Sequence, residues 1–422
     1  MTLTVVIPTR DRADLAVNAL HSVLGAQRPD VTVLVSDNST SADQRDQLRA
    51  QCADHLTERV RYVTPPEPMP MAEHWEWARQ TATATFEPTH LTYVSDRGML
   101  LDGALDELAS LISRYPDRVI TYKFAVVDDF IRPVRLTQPP WTGRLLELDS
   151  AAIIKVSSRG ETGTYLPQML NCVAPTTVLR AVEARFGGVF GSVSPDTCFG
   201  YRCLVVCDSI LYRDKALLIH YATDRSTGGS LGRGVSSPAL RDFQRVAAGV
   251  LAGDAPEPRF VTPTNGMLSE YCFVRAEAPD RRLPPLSNRG YLAAIARDVR
   301  RIENPQLRDE MTSLLRARGW RGRARFRNAA ERAVRLIRYM IRHPRAAPEM
   351  IRLQLKERPP RSLANDVLSR VGINPRARDE PRFENAMEAI AYAQRYPRPR
   401  SSAVWFLAGL EEISGGVREL SA

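Results

Sequence analysis

The sequence predicts an α/β domain with a mostly parallel sheet covered by helices on both faces, followed by a basic, mainly α-helical C-terminal region. Three observations carry this expectation. Over the first ~120 residues, short apolar runs alternate with longer runs of helical periodicity. The apolar runs are near-continuous, as strands buried on both faces must be. From residue 291 the pattern is helical almost throughout and the charge turns positive.

Residues 4–7 read as a buried strand stopped by Pro8, and 11–24 as a helix with Leu15, Ala19 and Val23 on one face. A second strand over 31–35 ends in the polar Ser36-Asp37-Asn38-Ser39. A helix over 41–53, a strand over 60–63 and a helix over 71–81 follow. The strand over 90–94 ends in Ser95-Asp96-Arg97-Gly98, ahead of a helix over 102–115 and a strand over 119–124. In parallel sheets ligands bind outside the carboxyl ends of the strands. Three polar turns lie at such ends, 9–12, 37–39 and 96–98, and function is expected there. Residues 125–235 are less regular, with loops at 139–141 and 157–163, a helix over 180–186 and a longer helix over 196–211. The expected domains are therefore 1–250 as the α/β unit, 251–290 as a Pro-rich linker or crossing segment, and 291–422 as the basic helical region.

Charge follows the same division. Residues 285–422 carry 28 Lys and Arg against 15 Asp and Glu, while residues 1–284 carry 30 against 33. The net +10 of the chain therefore belongs to its last third, and a nucleic-acid-binding surface over the whole molecule is not needed to explain it. Within that third, Phe326, Ala330, Ala333, Val334, Ile337, Met340 and Ile341 share one helix face, and Arg325, Arg327, Arg332, Arg335, Arg338 and Arg342 populate the rest. Such a basic amphipathic helix either packs on the body with a solvated arginine face or lies on anionic lipid. No nucleic-acid-binding motif accompanies it. The six cysteines at 52, 172, 198, 203, 207 and 272 form no C-x-x-C pair, so a reducing cytoplasm is expected. The first residues start a strand and lack the basic segment of a signal peptide. No apolar run reaches the ~18–20 residues that a membrane span needs, so membrane attachment would be peripheral, on the inner face.

The first turn, Ile7-Pro8-Thr9-Arg10-Asp11-Arg12, has neither G-x-G-x-x-G nor G-x-x-x-x-G-K-[ST]. Dinucleotide and P-loop enzymes are disfavoured on that ground. The turn offers a hydroxyl, two guanidiniums and a carboxylate; taken alone, it is also an ordinary helix N-cap.

Four blocks in order carry a more specific signal. They are Val5-Val6-Ile7-Pro8-Thr9-Arg10-Asp11-Arg12, Val33-Leu34-Val35-Ser36-Asp37-Asn38-Ser39, the stretch from Met71 to Ala78 containing Trp75, and Tyr93-Val94-Ser95-Asp96-Arg97-Gly98 running on to Gly103-Ala104-Leu105. Together they resemble glycosyltransferase family 2 with the GT-A fold, over roughly residues 3–235. The resemblance implies that Thr9, Arg12 and Asp37 hold the base and ribose of a nucleotide-sugar donor. The family's Asn stands here as Asp11, and Asp37 also suits a plain Asx-turn.

The family places an Asp-x-Asp motif at the end of the fourth strand, where it holds Mg²⁺ or Mn²⁺ against the diphosphate. Here the motif reads Asp96-Arg97-Gly98. Asp96 is left to bind the donor's ribose or a metal, with His220 as the candidate to complete a metal shell, or Arg97 at the donor diphosphate supplies part of the cation's charge. Downstream, Ser194-Pro195-Asp196 opens a helix after a loop. The resemblance makes Asp196 the general base of an inverting transfer, with Glu183 and Asp208 as weaker rivals. The stretch from Asp224 to Gly234 reads as a mobile Gly-rich loop that closes over the diphosphate with Arg225 and Ser226.

The implied activity is sugar transfer from a nucleotide-diphosphate sugar to a hydroxyl of a glycan or lipid-linked acceptor, in polysaccharide biosynthesis, with no nucleic acid as partner. The acceptor would bind between residues 140 and 200. Two other readings stand beside it: a non-catalytic nucleotide-sugar-binding scaffold, motivated by Gly98, and a nucleotidyltransferase, whose usual Gly-rich first loop is missing.

Overall fold

The computed structural model describes residues 2–139, 141–246, 262–278, 283–320, 381–396 and 417–420, with 337, 341 and 344 as single positions. The amphipathic segment expected over 325–342 therefore lies outside the described residues, apart from isolated Ile337 and Ile341.

The first third alternates as expected: β1 (Leu3–Thr9), α1 (Ala13–Leu24), β2 (Val31–Asp37), α2 (Ala42–Ala53), β3 (Val60–Val63), α3 (Met71–Phe86), β4 (His90–Tyr93), β5 (Gly98–Leu100) and α4 (Ala104–Arg114). The strands pair in parallel, β1 between β2 and β4 and β2 beside β3. Alternate side chains of one strand enter opposite cores. Val6, Leu34 and Tyr93 pack with α3, whereas Val5, Ile7, Val33 and Val35 pack with α1, α2 and α4. Each fully buried aliphatic contributes roughly 1.5–3 kcal/mol. The strand ends are thus held by a rigid, two-sided core.

The chain continues through β6 (Ile120–Asp128), β7 (Val134–Thr137), β8 (Leu145–Asp149), α5 (Ser150–Ser157), β9 (Cys172–Pro175), α6 (Thr176–Phe186), α7 (Pro195–Val206) and β10 (Ser209–His220). The sheet order is β12-β8-β10-β6-β9-β4-β1-β2-β3, β12 being Val417–Leu420. Parallel pairing holds in the β3-β2-β1-β4 block and again between β6 and β10. β9 runs antiparallel to both β4 and β6, so β4, β6 and β10 all point the same way. The fold is α/β and Rossmann-like and fits the GT-A arrangement, with β9 and β8 running antiparallel to their neighbours.

Three expectations are corrected. The helix expected over 196–211 stops at Val206, because Ile210, Leu211 and Tyr212 are drawn into β10 by pairing with β6 and β8. The Gly-rich loop after His220 is folded as α8 (Thr227–Arg233), since Ser226 caps it by accepting from the Gly229 N–H at 3.2 Å. It is followed by α9 (Pro238–Val246). The expected linker contains α10 (Pro263–Glu277): Thr262 accepts from the Asn265 N–H, and Pro263 sits at the first helical position, where its missing N–H costs nothing.

α10 packs on α7 through Tyr271 and Val274. Its other side meets α11 (Asn288–Val299), which in turn packs on α12 (Pro305–Ala317). Gly290 permits a close approach, since a Cβ there would lie 2.0 Å from the Arg159 carbonyl oxygen. β11 (Arg382–Phe383) pairs with β7, and α13 (Ala386–Arg395) covers Ala125 and Val127. Elements from the end of the chain therefore complete the first sheet. No helix among the described residues is long and apolar enough to cross a membrane.

Candidate functional site

The last residue of β1, Thr9, lies directly beside Asp37 of β2 in the parallel register. β4 flanks β1 on the other side, and the chain turns back three residues beyond it at Asp96. The Thr9 hydroxyl donates to Asp96 Oδ2 at 2.9 Å, and Arg12 Nε reaches the same oxygen at 2.8 Å. Asp96 is 1% exposed, so its charge depends on these two partners. Two of the three expected strand-end turns thus meet at one carboxylate, and Asp37 stands one strand away.

Asp37 is not free for a ligand in the way the sequence suggests. Its Oδ1 accepts from the Ser39 N–H at 2.9 Å, which is the Asx-turn, and its Oδ2 accepts from the Tyr62 hydroxyl at 2.7 Å. A carboxylate has about four lone-pair directions, so acceptor capacity remains. Asp11 takes a left-handed conformation with φ 53° and accepts from the Thr40 N–H and hydroxyl and from the Ser41 N–H. It ties the first turn to the second, which an acceptor-only carboxylate does at three donors at once. Asn38 grips the backbone of Met69 with both ends of its amide, and Arg10 donates to the Met69 carbonyl at 3.1 Å.

The segment after β10 crosses this strand end. Arg97 and Tyr221 clasp each other: the Tyr221 N–H donates to the Arg97 carbonyl at 3.0 Å, and Arg97 Nη1 donates to the Tyr221 carbonyl at 3.3 Å. Arg12 Nη1 donates to the Arg225 carbonyl at 3.2 Å. The Arg225 guanidinium itself forks onto Asp14 at 2.6 and 3.0 Å. Asp129 accepts from both the N–H and the hydroxyl of Thr223. Farther along, Asp242 of α9 pairs with Arg10 at 3.1 Å. Ser226 is buried and serves as the α8 cap. Burial, and after it the nearby Arg12 charge, bring Arg97 down to about 10, so it remains a cation at neutral pH.

His220 ends β10 at the same side of the sheet. Its ring stands edge-on to Phe124 with centroids 4.9 Å apart. Burial first, and the Arg97 cation second, push it down to about 3, so it is neutral. Its Nδ1 has no hydrogen-bond partner among the described residues.

Asp96 and His220, the two residues expected to hold a divalent cation, both lie at this strand end. Asp96 Oδ2 is taken by Thr9 and Arg12, and Arg97 places a second guanidinium beside it. No group of three His, Cys, Asp or Glu gathers anywhere among the described residues. Gly98 is fixed in β5 opposite His220, and a Cβ there would already press on the Ser95 carbonyl at 3.2 Å and on Val94. A side chain at that position would need its neighbours to give by a few tenths of an ångström. Arg97 is the cation of this group that no carboxylate pairs with directly among the described residues, while Arg10, Arg12 and Arg225 are each paired with an aspartate.

Asp196 sits in the first turn of α7, behind Ser194 and Pro195. It is only partly exposed, and burial pushes its carboxyl up to about 6, against the lowering pull of the Thr197 and Asp196 N–H groups. Its neighbour Thr197 accepts from the Gln168 amide at 2.8 Å, and residues 169–171 lead directly into Cys172, the first residue of β9, whose carbonyl accepts from Thr92 of β4 at 2.7 Å. β9 starts where antiparallel β4 ends, so Asp196 lies at the same end of the sheet as Asp96. Asp208 immediately precedes β10, which runs parallel to β6 and in the direction of β4, and is therefore at the opposite end. Glu183 is paired with Arg79 at 2.6 Å. Of the two rivals, Asp208 lies away from Asp96, and Glu183 is held in an ion pair.

Sequence reasoning missed Tyr62, Asp129, Tyr221 and Glu270. The first three hold Asp37, Thr223 and Arg97. Glu270 lies in α10, within the range expected to be a linker. None belongs to a motif, and only the folded chain brings them in.

No protein-family model matches the chain, and no curated protein matches it. Among solved structures, it is similar to S. aureus TarS 1–349 in complex with UDP-GlcNAc, at 15% identity and a TM-score of 0.42, covering 75% of this chain and 88% of that one. It is also similar to TarS 1–349 in complex with UDP, at 14% identity, TM-score 0.42 and the same coverage. To a further S. aureus TarS structure the values are 15%, 0.41, 75% and 53%. A likeness of this degree says nothing of the substrate.

Proposed function

We propose that this chain is a glycosyltransferase that moves a sugar, with inversion, from a nucleotide-diphosphate sugar to a hydroxyl of a glycan or lipid-linked acceptor. The observation that supports the reading is the meeting of Thr9, Arg12, Asp96 and Arg97 at the carboxyl ends of the parallel strands, with Asp196 at the same end.

In this reading the base and ribose lie along Thr9, Arg12 and Asp37, and the diphosphate faces Arg97, Arg12 and the strap that carries Arg225 and Ser226. The acceptor oxygen attacks the anomeric carbon while its proton passes to the Asp196 carboxylate. The bond from that carbon to the diphosphate oxygen breaks on the opposite face, and its electron pair leaves with the nucleoside diphosphate. Two fixed guanidiniums offset the charge that develops there. A carboxyl near 6 is ionised at neutral pH and is a stronger base than a solvated one. The counter-charge is thus assigned to arginine rather than to Mg²⁺ or Mn²⁺. The acceptor class, and a docking of residues 325–342 on an anionic membrane, rest on the sequence reading alone.

A mass-spectrometric screen of nucleotide sugars, with and without EDTA, tests the reading on wild type and Asp196→Asn. Transfer by wild type and its loss in the variant are expected. Tight donor binding with no turnover on any acceptor would instead identify a non-catalytic nucleotide-sugar-binding protein.

A further inference from the structure

The loop over 187–194, which leads into α7 and Asp196, is slung between two carboxylates. At its start, Glu76 Oε2 accepts from the N–H groups of Val189 and Phe190 at 3.0 and 3.1 Å. At its end, Glu270 Oε1 accepts from Val193 and Ser194 at 3.1 and 2.8 Å. Ser194 stands at the position that opens α7, two residues before Asp196, and its hydroxyl makes no capping bond. Between the clamps Ser192 is held at φ 58°, a backbone state that a serine leaves readily unless its neighbours fix it.

Glu270 is 1% exposed, and its Oε2 is buried with no hydrogen-bond partner among the described residues. A carboxyl in that position is expensive, so its retention points to something gained by it. α10 is itself anchored on α11: Asn265 donates to the Tyr291 hydroxyl at 2.7 Å, and the Thr264 N–H donates to Asp298 at 2.9 Å. The Glu270 side chain therefore reaches the α7 lead-in from a fixed support outside the α/β unit.

We infer that Glu270 is a positioning residue that sets the start of α7, and with it the Asp196 carboxylate, through its two backbone acceptances. The inference rests on the proposed role of Asp196 as base. Burial raises the Glu270 carboxyl to about 8, offset by the Ser194 and Val193 N–H groups. It is then largely uncharged at neutral pH, and glutamine is a close mimic in length, charge and acceptor oxygen.

The test compares Glu270→Gln, Glu270→Asp and Glu270→Ala in the full chain, reading kcat, acceptor KM and nucleotide diphosphate affinity by calorimetry. A base displaced by about 1 Å loses on the order of 100-fold in rate. Glu270→Asp and Glu270→Ala are expected to lower kcat by roughly 10- to 100-fold with donor affinity kept within about twofold, and Glu270→Gln to restore kcat to within about threefold of wild type. Donor binding reports folding, so a variant that fails to fold is recognised, and the Asp–Gln contrast carries the test without the alanine. Unchanged kcat in Glu270→Asp, or equal losses in Asp and Gln, would overturn the inference while leaving Asp196 as base. A wild type without turnover would remove both together.

Discussion

Thr9 and Asp96 join the ends of two neighbouring parallel strands through a single 2.9 Å hydrogen bond from the threonine hydroxyl. They are 87 residues apart in the chain, and the bond closes the floor of the candidate donor site. Arg12 shares the accepting oxygen, so the three side chains form one charged unit.

Thr9→Val keeps the shape of the side chain and removes the donor. The buried Asp96 carboxylate would then keep its Arg12 ion pair and the nearby Arg97 charge without a neutral donor. A loss of about 1–3 kcal/mol in stability is expected for an under-satisfied buried charge, read as a lower midpoint in denaturant. Nucleotide diphosphate affinity should fall roughly 5- to 50-fold with it. An unchanged affinity would place the donor elsewhere.

Asp196 should impose its own pH limb. With the carboxyl pushed up to about 6 by burial, kcat/KM is expected to fall about tenfold per pH unit below that value. Stability should move the other way. The folded chain holds this proton more tightly than the unfolded one, so the contribution to stability is full below the ordinary carboxylate range and is lost as pH rises through about 6. Asp196→Asn is therefore expected to lose at least about 100-fold in kcat. Above pH 6 it should match or exceed the wild type in stability. A profile flat from pH 5 to 8, or an active asparagine variant, would remove Asp196 from the chemistry.

Arg97 is the cation closest to being fixed in place, clasped to Tyr221 and still charged at neutral pH. Arg97→Met should weaken a nucleoside diphosphate by roughly 10- to 100-fold, the value of about 1.5–3 kcal/mol for a charged hydrogen bond, and should leave the bare nucleoside nearly unaffected. Removing divalent cations with EDTA should change diphosphate affinity of the wild type by less than about twofold, because Arg12 is already paired with Asp96 and the Arg97 charge is nearby. Metal-dependent calorimetric binding would contradict this.

Arg225 forks onto Asp14 at the surface, where an ion pair is worth at most about 1 kcal/mol. Asp14→Asn should therefore leave the melting temperature nearly unchanged while freeing the guanidinium. If Arg225 serves the diphosphate, the variant binds it as tightly as wild type or tighter, and Arg225→Ala binds it several-fold more weakly. Equal affinities in all three proteins would assign Arg225 to the strap alone.

Much of the fold was legible because local rules decided it. Near-continuous apolar runs such as Val5-Val6-Ile7 can only be buried on both faces, and polar turns after them mark the strand ends where ligands gather. Those rules pointed to the turns holding Thr9, Arg12, Asp37, Asp96 and Arg97, whereas Asp196 came from the family resemblance. They failed where a neighbour outweighed local preference. Sheet pairing of Ile210, Leu211 and Tyr212 cut short a helix that periodicity would have continued. A serine cap made a helix of a glycine-rich stretch.

The sequence by itself determined the α/β class, the order of the N-terminal elements and the residues offered at the strand ends, since each follows from periodicity and turn chemistry within a few residues. Tertiary structure decided which of those residues share a carboxylate, how Asp37 is engaged by Tyr62, that Asp208 faces away from Asp96, and that Glu270 reaches the Asp196 lead-in. Those outcomes depend on strand direction and on contacts between elements dozens of residues apart, which no local pattern encodes.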